Sequence, residues 1–449
     1  MKLKKVIATM LVSAMTLGLV GCGGNNASNT SGKATATPDT SKTETPATET
    51  PATDAASATP VADAKKVELL VWSPQEDQAP RDGYDQGILA AMCEAFNTAH
   101  PEWDITFTYG VCSEGDAKDV VTKDLAAAGD VYMYANDQIP TLVDAGALAK
   151  LGGSYVDDMK ASNDEAMSNS VTYNDGVYGF PYTPNTWFMF YDKTKFTEEE
   201  VKSLDAMMAK DLGSDVTNLA MALDNSWYIE AFYYAAGCQL FGDGTQPEMG
   251  CDFDNENGVA TTKYLVNLAA NKKFSNEKDK SSIAKFQERK LGAYFTGSWD
   301  YDAIYKALGD DLGMAKLPTV TINGTEGQMK SFAGSKAVGV NPMCENMDVA
   351  VALASYLAGP ECQQIRFETR NIAPTNKTVA ASEAVQSNPL VAAQAAEISE
   401  AAMVQPLLAE MATYWTPTDS LGKELVQGDI TEANAEAKTQ AWVKGILGK

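Results

Sequence analysis

Histidine is almost missing: His100 is the only one in 449 residues. That scarcity removes most chemistry built on imidazole, from a Ser-His-Asp hydrolase to a Cys-His nucleophile or a multi-histidine zinc site. Basic residues are short as well, 35 Lys and Arg against 60 Asp and Glu, for a formal charge of −25. A nucleic-acid binder neutralises phosphates with Lys and Arg, so this balance excludes nucleic acid as a partner. No phosphate loop of the GxxxxGK[ST] kind and no CxxC spacing occurs. After the N-terminal stretch, no run of about 18 consecutive apolar residues offers a membrane span. Nothing in the sequence asks for a cofactor or a metal. The chain is too long for one compact core, so two lobes or domains are expected.

What is present begins with an export signal. Lys2, Lys4 and Lys5 precede the apolar stretch Val6–Leu19, which is short for a span. It ends in Leu19-Val20-Gly21-Cys22, which resembles the bacterial lipoprotein signal. That resemblance implies a signal peptide over 1–21 and a lipid on Cys22, placing the protein on the outer face of the cell membrane. Residues 22–65 carry Gly, Ser, Asn, Thr, Pro and Ala, as in Thr43-Glu44-Thr45-Pro46, with too little apolar area to offset chain entropy. They read as a disordered tether. Six cysteines remain, and Cys238 and Cys251, flanking a Gly/Pro-rich loop, are the favoured disulfide; Cys93, Cys112, Cys344 and Cys362 stay open.

The folded part opens on Val67–Trp72, a short apolar run that reads as a buried strand. Helical spacing follows at Ile88, Leu89, Met92 and Phe96, then a strand at Ile105–Tyr109, a helix near Asp116–Ala127 and a strand at Asp130–Tyr134. This alternation predicts an α/β fold with a doubly wound parallel sheet, whose ligands collect at the carboxyl ends of the strands. Further strands are expected at Trp187–Tyr191, Leu291–Phe295 and Ala337–Asn341. Helices are expected at Thr197–Lys210, Trp227–Ala236, Asn257–Asn271 and Met347–Leu357, and through the Ala-rich 382–449.

Sixty carboxylates make an acid pair easy to find, so no single Asp or Glu signals glycoside hydrolysis by itself. The run Asp252–Gly258 starts like a calcium loop but has Asn257 where Gly is needed and Lys263 at the twelfth place. It reads as a helix-capping turn. The aromatics say more. Trp72 and Tyr134 close strands, and Trp187, Trp227, Trp299 and Trp415 stand among Pro, Gly, Asn and Ser. A pyranose stacked on an indole buries roughly 75–125 Å² of it, about 2–3 kcal/mol before ordering costs. Core packing is the competing reading for any one of them, and Trp103 and Trp442 are assigned to it.

The chain from Val67 onward resembles the family 1 extracellular solute-binding proteins of ABC importers, of the maltose/maltodextrin-binding type. The landmarks, in order, are Leu69–Trp72, Phe96-Asn97 with His100-Pro101, Asp130–Asp137, Leu142–Leu148, Gly179–Tyr182, Phe190–Lys193, Phe286–Ala293, Thr296–Trp299 and Ile372–Thr375. The resemblance implies a type II two-lobe fold hinged by crossovers, with 67–183 plus 338–384 in one lobe and 184–337 plus 385–449 in the other. It implies a cleft that closes on sugar, a permease partner and a monomer. Matched residue by residue, it makes Tyr134 an aromatic platform, Asp137 a hydroxyl ligand, and Trp299 and Trp415 stacking rings, with Trp227 near a third. Gln138 replaces the family's Arg, Asn185 and Asn225 replace two carboxylates, and Trp72, Glu76 and Asp77 occupy the first loop, where a Lys is absent. The implied function is a lipid-anchored receptor for an oligosaccharide, maltodextrin first. A receptor for another polar solute and a carboxylate-only surface glycosidase are the alternatives.

Overall fold

The computed structural model describes residues 64–448. The signal peptide, Cys22 and the tether up to residue 63 lie outside the described residues.

The first strand, Lys65–Ser73, buries Val67, Leu69, Val71 and Ser73 in alternation, the period-two pattern of a strand packed on a core. It runs parallel to Trp103–Val111, from Lys65 opposite Trp103 to Ser73 opposite Val111, and parallel to Val131–Ala135 on its other side. The helix Gly87–Ala99 connects the first two, burying Ile88, Leu89, Met92, Cys93 and Phe96 on one stripe. The sheet then becomes mixed. Ser331–Val340 runs antiparallel to both Val131–Ala135 and Phe180–Asn185, and parallel to the short strand Ala402–Val404. The expected all-parallel winding therefore holds for three strands and stops where the chain re-enters from the other lobe.

The second sheet orders Leu312–Ala315, Trp187–Asp192, Leu291–Gly297, Thr217–Met221 and Phe274–Asn276. Trp187, Met189 and Tyr191 point into one core, and Phe188 and Phe190 into another on the opposite face. Both faces are covered, which is why these strands read as continuous apolar runs. The helices Ser226–Ala235, Glu256–Ala269, Trp415–Gln427 and Ala435–Ile446 cover the first face, with Phe232, Leu265, Leu425 and Trp442 buried there. Ile283, Phe286, Ile304 and Leu390 come from helices on the second face. The result is a two-lobe α/β fold, one lobe built on each sheet.

Local chemistry explains the boundaries that differ from expectation. The helix expected over Asp116–Ala127 ends after Ala117–Val121, because Asp124 turns the chain: its side chain accepts from Ala126 N at 3.1 Å and its carbonyl from Ala127 and Ala128 N. Thr197–Lys210 is interrupted by Ser203, whose hydroxyl caps Ala206 N and restarts the helix at Leu204. Asn255 caps Glu256–Ala269 through Gly258 N at 3.0 Å, so the Asp252–Gly258 run serves that helix.

The favoured disulfide is absent. All six described cysteines are buried thiols. Leu240, and not Cys238, is the bridge partner of Cys251.

Two hinge segments carry the chain between lobes side by side. Thr186 Oγ1 lies 2.8 Å from Ser331 Oγ and donates to Phe332 O at 2.9 Å. The helix Pro389–Glu400 pins both segments, through Gln394 Nε2 to Pro184 O at 3.2 Å and through Glu397 to Ser331 Oγ at 2.6 Å.

Candidate functional site

The carboxyl ends of the three parallel strands lead into one cavity of about 440 Å³. Ser73 is followed by Glu76, Val111 by Ser113, Glu114 and Gly115, and Ala135 by Asp137 and Gln138, and all of the following residues line it. From the second lobe come Asn225, Trp227 and Tyr228 at the start of a helix, Trp299 just after the strand Leu291–Gly297, and Trp415 with Asp419 from the helix Trp415–Gln427. One wall is polar and charged; the other is aromatic.

Each aromatic is held by groups that sequence spacing does not reveal. Asn225 caps its helix through Trp227 N at 2.9 Å, and Asp419 accepts from Ser226 N at 2.8 Å, so two polar side chains orient the turn that carries Trp227. The Trp227 and Trp415 rings stack at 6.4 Å between centroids and 30° between planes, and Phe332 sits against both. Trp299 is fixed by its neighbour: Asp300 accepts from Thr296 Oγ1 at 2.9 Å and Tyr294 OH at 3.1 Å and pairs with Lys280 at 2.6 Å.

On the polar wall, Gln138 holds the Glu114–Lys118 loop. Its Oε1 accepts from Lys118 N at 2.7 Å, and its Nε2 donates to the carbonyls of Glu114 at 2.9 Å and Gly115 at 2.6 Å. Burial pushes the Asp137 carboxyl up to about 6, against the opposing pull of Lys118. Glu114 goes the other way: burial raises it, but Lys336 and the Tyr182 hydroxyl outweigh that and hold it below the usual range. Tyr182 donates to Glu114 at 2.5 Å.

The cavity thus gathers Glu76, Asp137, Asn185, Asn225, Trp227, Trp299 and Trp415. It leaves out Trp72, Asp77 and Tyr134. Trp72 packs on the first core, its indole laid over Gly110 and Gly129, which have no Cβ to obstruct it. Tyr134 is fully buried and donates to Tyr178 O at 3.0 Å, with Gly179 and Gly339 against its ring, so its aromatic face meets backbone and not solvent. Asp77 is buried between Arg366, at 3.0 Å, and Arg370. Burial would raise its pKa, and the two guanidiniums overcome that and lower it. Its role is one layer back, since Arg370 lines the cavity.

Glu114, Lys118, Lys336, Arg370 and Tyr228 are site residues that the sequence reading missed. The strand-end rule already pointed at Ser113–Gly115, directly after Val111. Lys336 and Arg370 carried no such signal, because they arrive from strand and helix segments over 190 residues further along. Among the described residues, no cluster of His, Cys, Asp and Glu is placed to hold a metal, and no helix is long and apolar enough to cross a membrane.

Residues 91–393 match the family described as bacterial extracellular solute-binding protein. The chain belongs to that family. It is 26% identical to the galactooligosaccharide-binding protein of Bacillus subtilis (strain 168), over 99% of this chain and 97% of that one. A structure solved with acarbose superposes with a TM-score of 0.80 at 43% identity, covering 84% of this chain and 98% of the other. Maltodextrin-binding protein MalE1 from L. casei BL23, without ligand, superposes at 0.72 with 25% identity, over 84% of this chain and 98% of its own. The relatives named from Bacillus subtilis and L. casei are binding proteins.

Proposed function

We propose that the protein is a lipid-anchored receptor on the outer cell surface that captures an oligosaccharide, maltodextrin-like in type, and hands it to the membrane subunits of an ABC importer. The observation that carries the ligand class is the aromatic wall: Trp227, Trp299 and Trp415 share one cavity with Asp137, Asn185, Asn225 and Asp419. Indole faces match the C–H faces of pyranose rings, and the carboxylates and amides match the hydroxyl rim. The stacked pair Trp227 and Trp415 together with the separate Trp299 offers more apolar ring surface than a single monosaccharide needs. The acarbose-bound relative at 43% identity and the maltodextrin-binding relative support the α-glucan choice; the galactooligosaccharide-binding relative makes that sugar the first alternative.

Lobe closure would be the signal the importer reads. Contacts made only when both lobes meet the sugar shift the open–closed population. The anchor reading rests on Gly21-Cys22 and the preceding apolar stretch.

Binding is favoured over hydrolysis because the named relatives are binding proteins, and Glu114, one of the carboxylates on the polar wall, is already engaged by Tyr182 and Lys336. Calorimetric titration of the purified protein with maltotriose, galactooligosaccharides and unrelated glycans tests the assignment. A saturable heat with maltotriose supports it, and flat traces with every glycan reject it. Shortened products after incubation with maltooligosaccharides would point to the glycosidase instead.

A further inference from the structure

Trp299 does not offer a bare face to the cavity. Its six-membered ring lies on Gly297, where a Cβ would collide with it, so backbone closes the inner face. Over the ring stands the ammonium of Lys336, 5.6 Å from the centroid. Lys336 pairs with Ala135 and Thr183 in the first sheet, whereas Trp299 follows a strand of the second. The contact therefore links the two sheets across the cavity. The same ammonium lies 3.4 Å from Glu114 Oε1, and the Lys336 side chain is only 17% exposed, so it is held between a carboxylate and the ring. Among the described residues, no cation stands over Trp227 or Trp415. Of the three indoles, Trp299 alone carries a cation.

A cation over an indole is attracted by the ring quadrupole, and a sugar can stack on that face only after the cation has moved. We propose that Lys336 is a specificity-determining latch: its ammonium occupies the stacking face of Trp299, and a ligand must displace it. The proposal rests on the sugar-capture reading of the same cavity. It means that the Trp299 position selects for rings with a broad apolar face, able to replace a cation–π contact, over solutes that bring hydroxyls alone. It also means that a protonated amino sugar is disfavoured there, since the displaced ammonium stays close by, tethered to Glu114.

The test is a cycle of variants titrated with maltotriose by calorimetry. Lys336→Gln keeps a donor for Glu114 and removes the cation. It is expected to bind about two- to fivefold tighter than the parent, the size of a partly exposed cation–π contact. In a Trp299→Ala background the same substitution is expected to bring no gain, because the face being contested is gone. Lys336→Arg, which keeps the cation and stacks flat on the indole, is expected to bind no tighter than the parent, and it decides the matter if Lys336→Gln does not fold. Equal or weaker binding by Lys336→Gln, an undiminished gain in the Trp299→Ala background, or tighter binding by Lys336→Arg overturns the latch. A parent protein that binds no glycan rejects the receptor reading itself, whereas a parent that binds normally with no gain in Lys336→Gln rejects the latch alone.

Discussion

Glu397 accepts the hydroxyl proton of Ser331 at 2.6 Å on one carboxyl oxygen and the backbone N–H of Leu317 at 2.7 Å on the other. The first contact lies on the strand that crosses between the lobes. Burial pushes this carboxyl up to about 7, opposed by the Ser331 hydroxyl, the Leu317 and Ser331 backbone and the Lys316 charge. The group therefore favours folding in its protonated form. Its contribution is complete below its ordinary value of 4.5 and is lost as pH rises through about 7, a swing of about 3 kcal/mol. Melting temperatures of the parent relative to Glu397→Gln should fall between those two pH values and level off above. A constant difference across the range would show that Glu397 does not titrate there.

The stacked pair Trp227 and Trp415 and the separate Trp299 are expected to carry the ligand. Replacing each by Ala should weaken oligosaccharide binding by about 1–3 kcal/mol while leaving the unfolding transition in place. Because the first two rings touch each other and Phe332, their double substitution should cost less than the two singles together. Calorimetric affinities unchanged in all three single variants would remove the aromatic wall from the site.

Asp77 and Tyr134 should separate stability from binding. Asp77→Ala leaves two buried guanidiniums without their carboxylate and is expected to cost about 3–5 kcal/mol in urea unfolding. Tyr134→Phe loses one buried hydroxyl contact to Tyr178 O, about 1–2 kcal/mol, and should leave sugar affinity as it was. A large affinity loss in Tyr134→Phe would return that residue to the binding surface.

The proposed anchor at Cys22 makes its own prediction. Expressed in a bacterial host with lipoprotein processing, the parent should incorporate labelled palmitate and sediment with membranes, and Cys22→Ser should do neither. Equal membrane recovery of the two proteins would mean that Cys22 is not the attachment point.

Several elements were legible because their signals are local. Met347–Leu357 appears with the bounds its periodicity suggests, Asn255 caps the helix it precedes, and the apolar runs at 187–191 and 291–295 are strands. The strand Ala402–Val404 was invisible: three residues in an Ala-rich helical stretch carry no period, and they become a strand only because Ser331–Ala333 offers its edge. The aromatic wall was readable from indoles next to turn-forming residues. The polar wall was half readable, since Asp137 follows a strand end while Lys336 and Arg370 come from distant segments.

By itself the sequence determined the class of molecule: an acidic, nearly histidine-free α/β chain too long for one core, with several indoles beside turn-forming residues. Composition and periodicity act over a few residues, and they were enough for that; the two-lobe arrangement came from the family resemblance. Only the tertiary structure decided that Tyr134 packs inward, that Asp77 serves two arginines, that Cys238 and Cys251 are separate buried thiols, and that Lys336 reaches the face of Trp299. Those outcomes depend on which side of a strand meets the core and on which distant segment arrives opposite, and neither is encoded in the spacing of neighbouring residues.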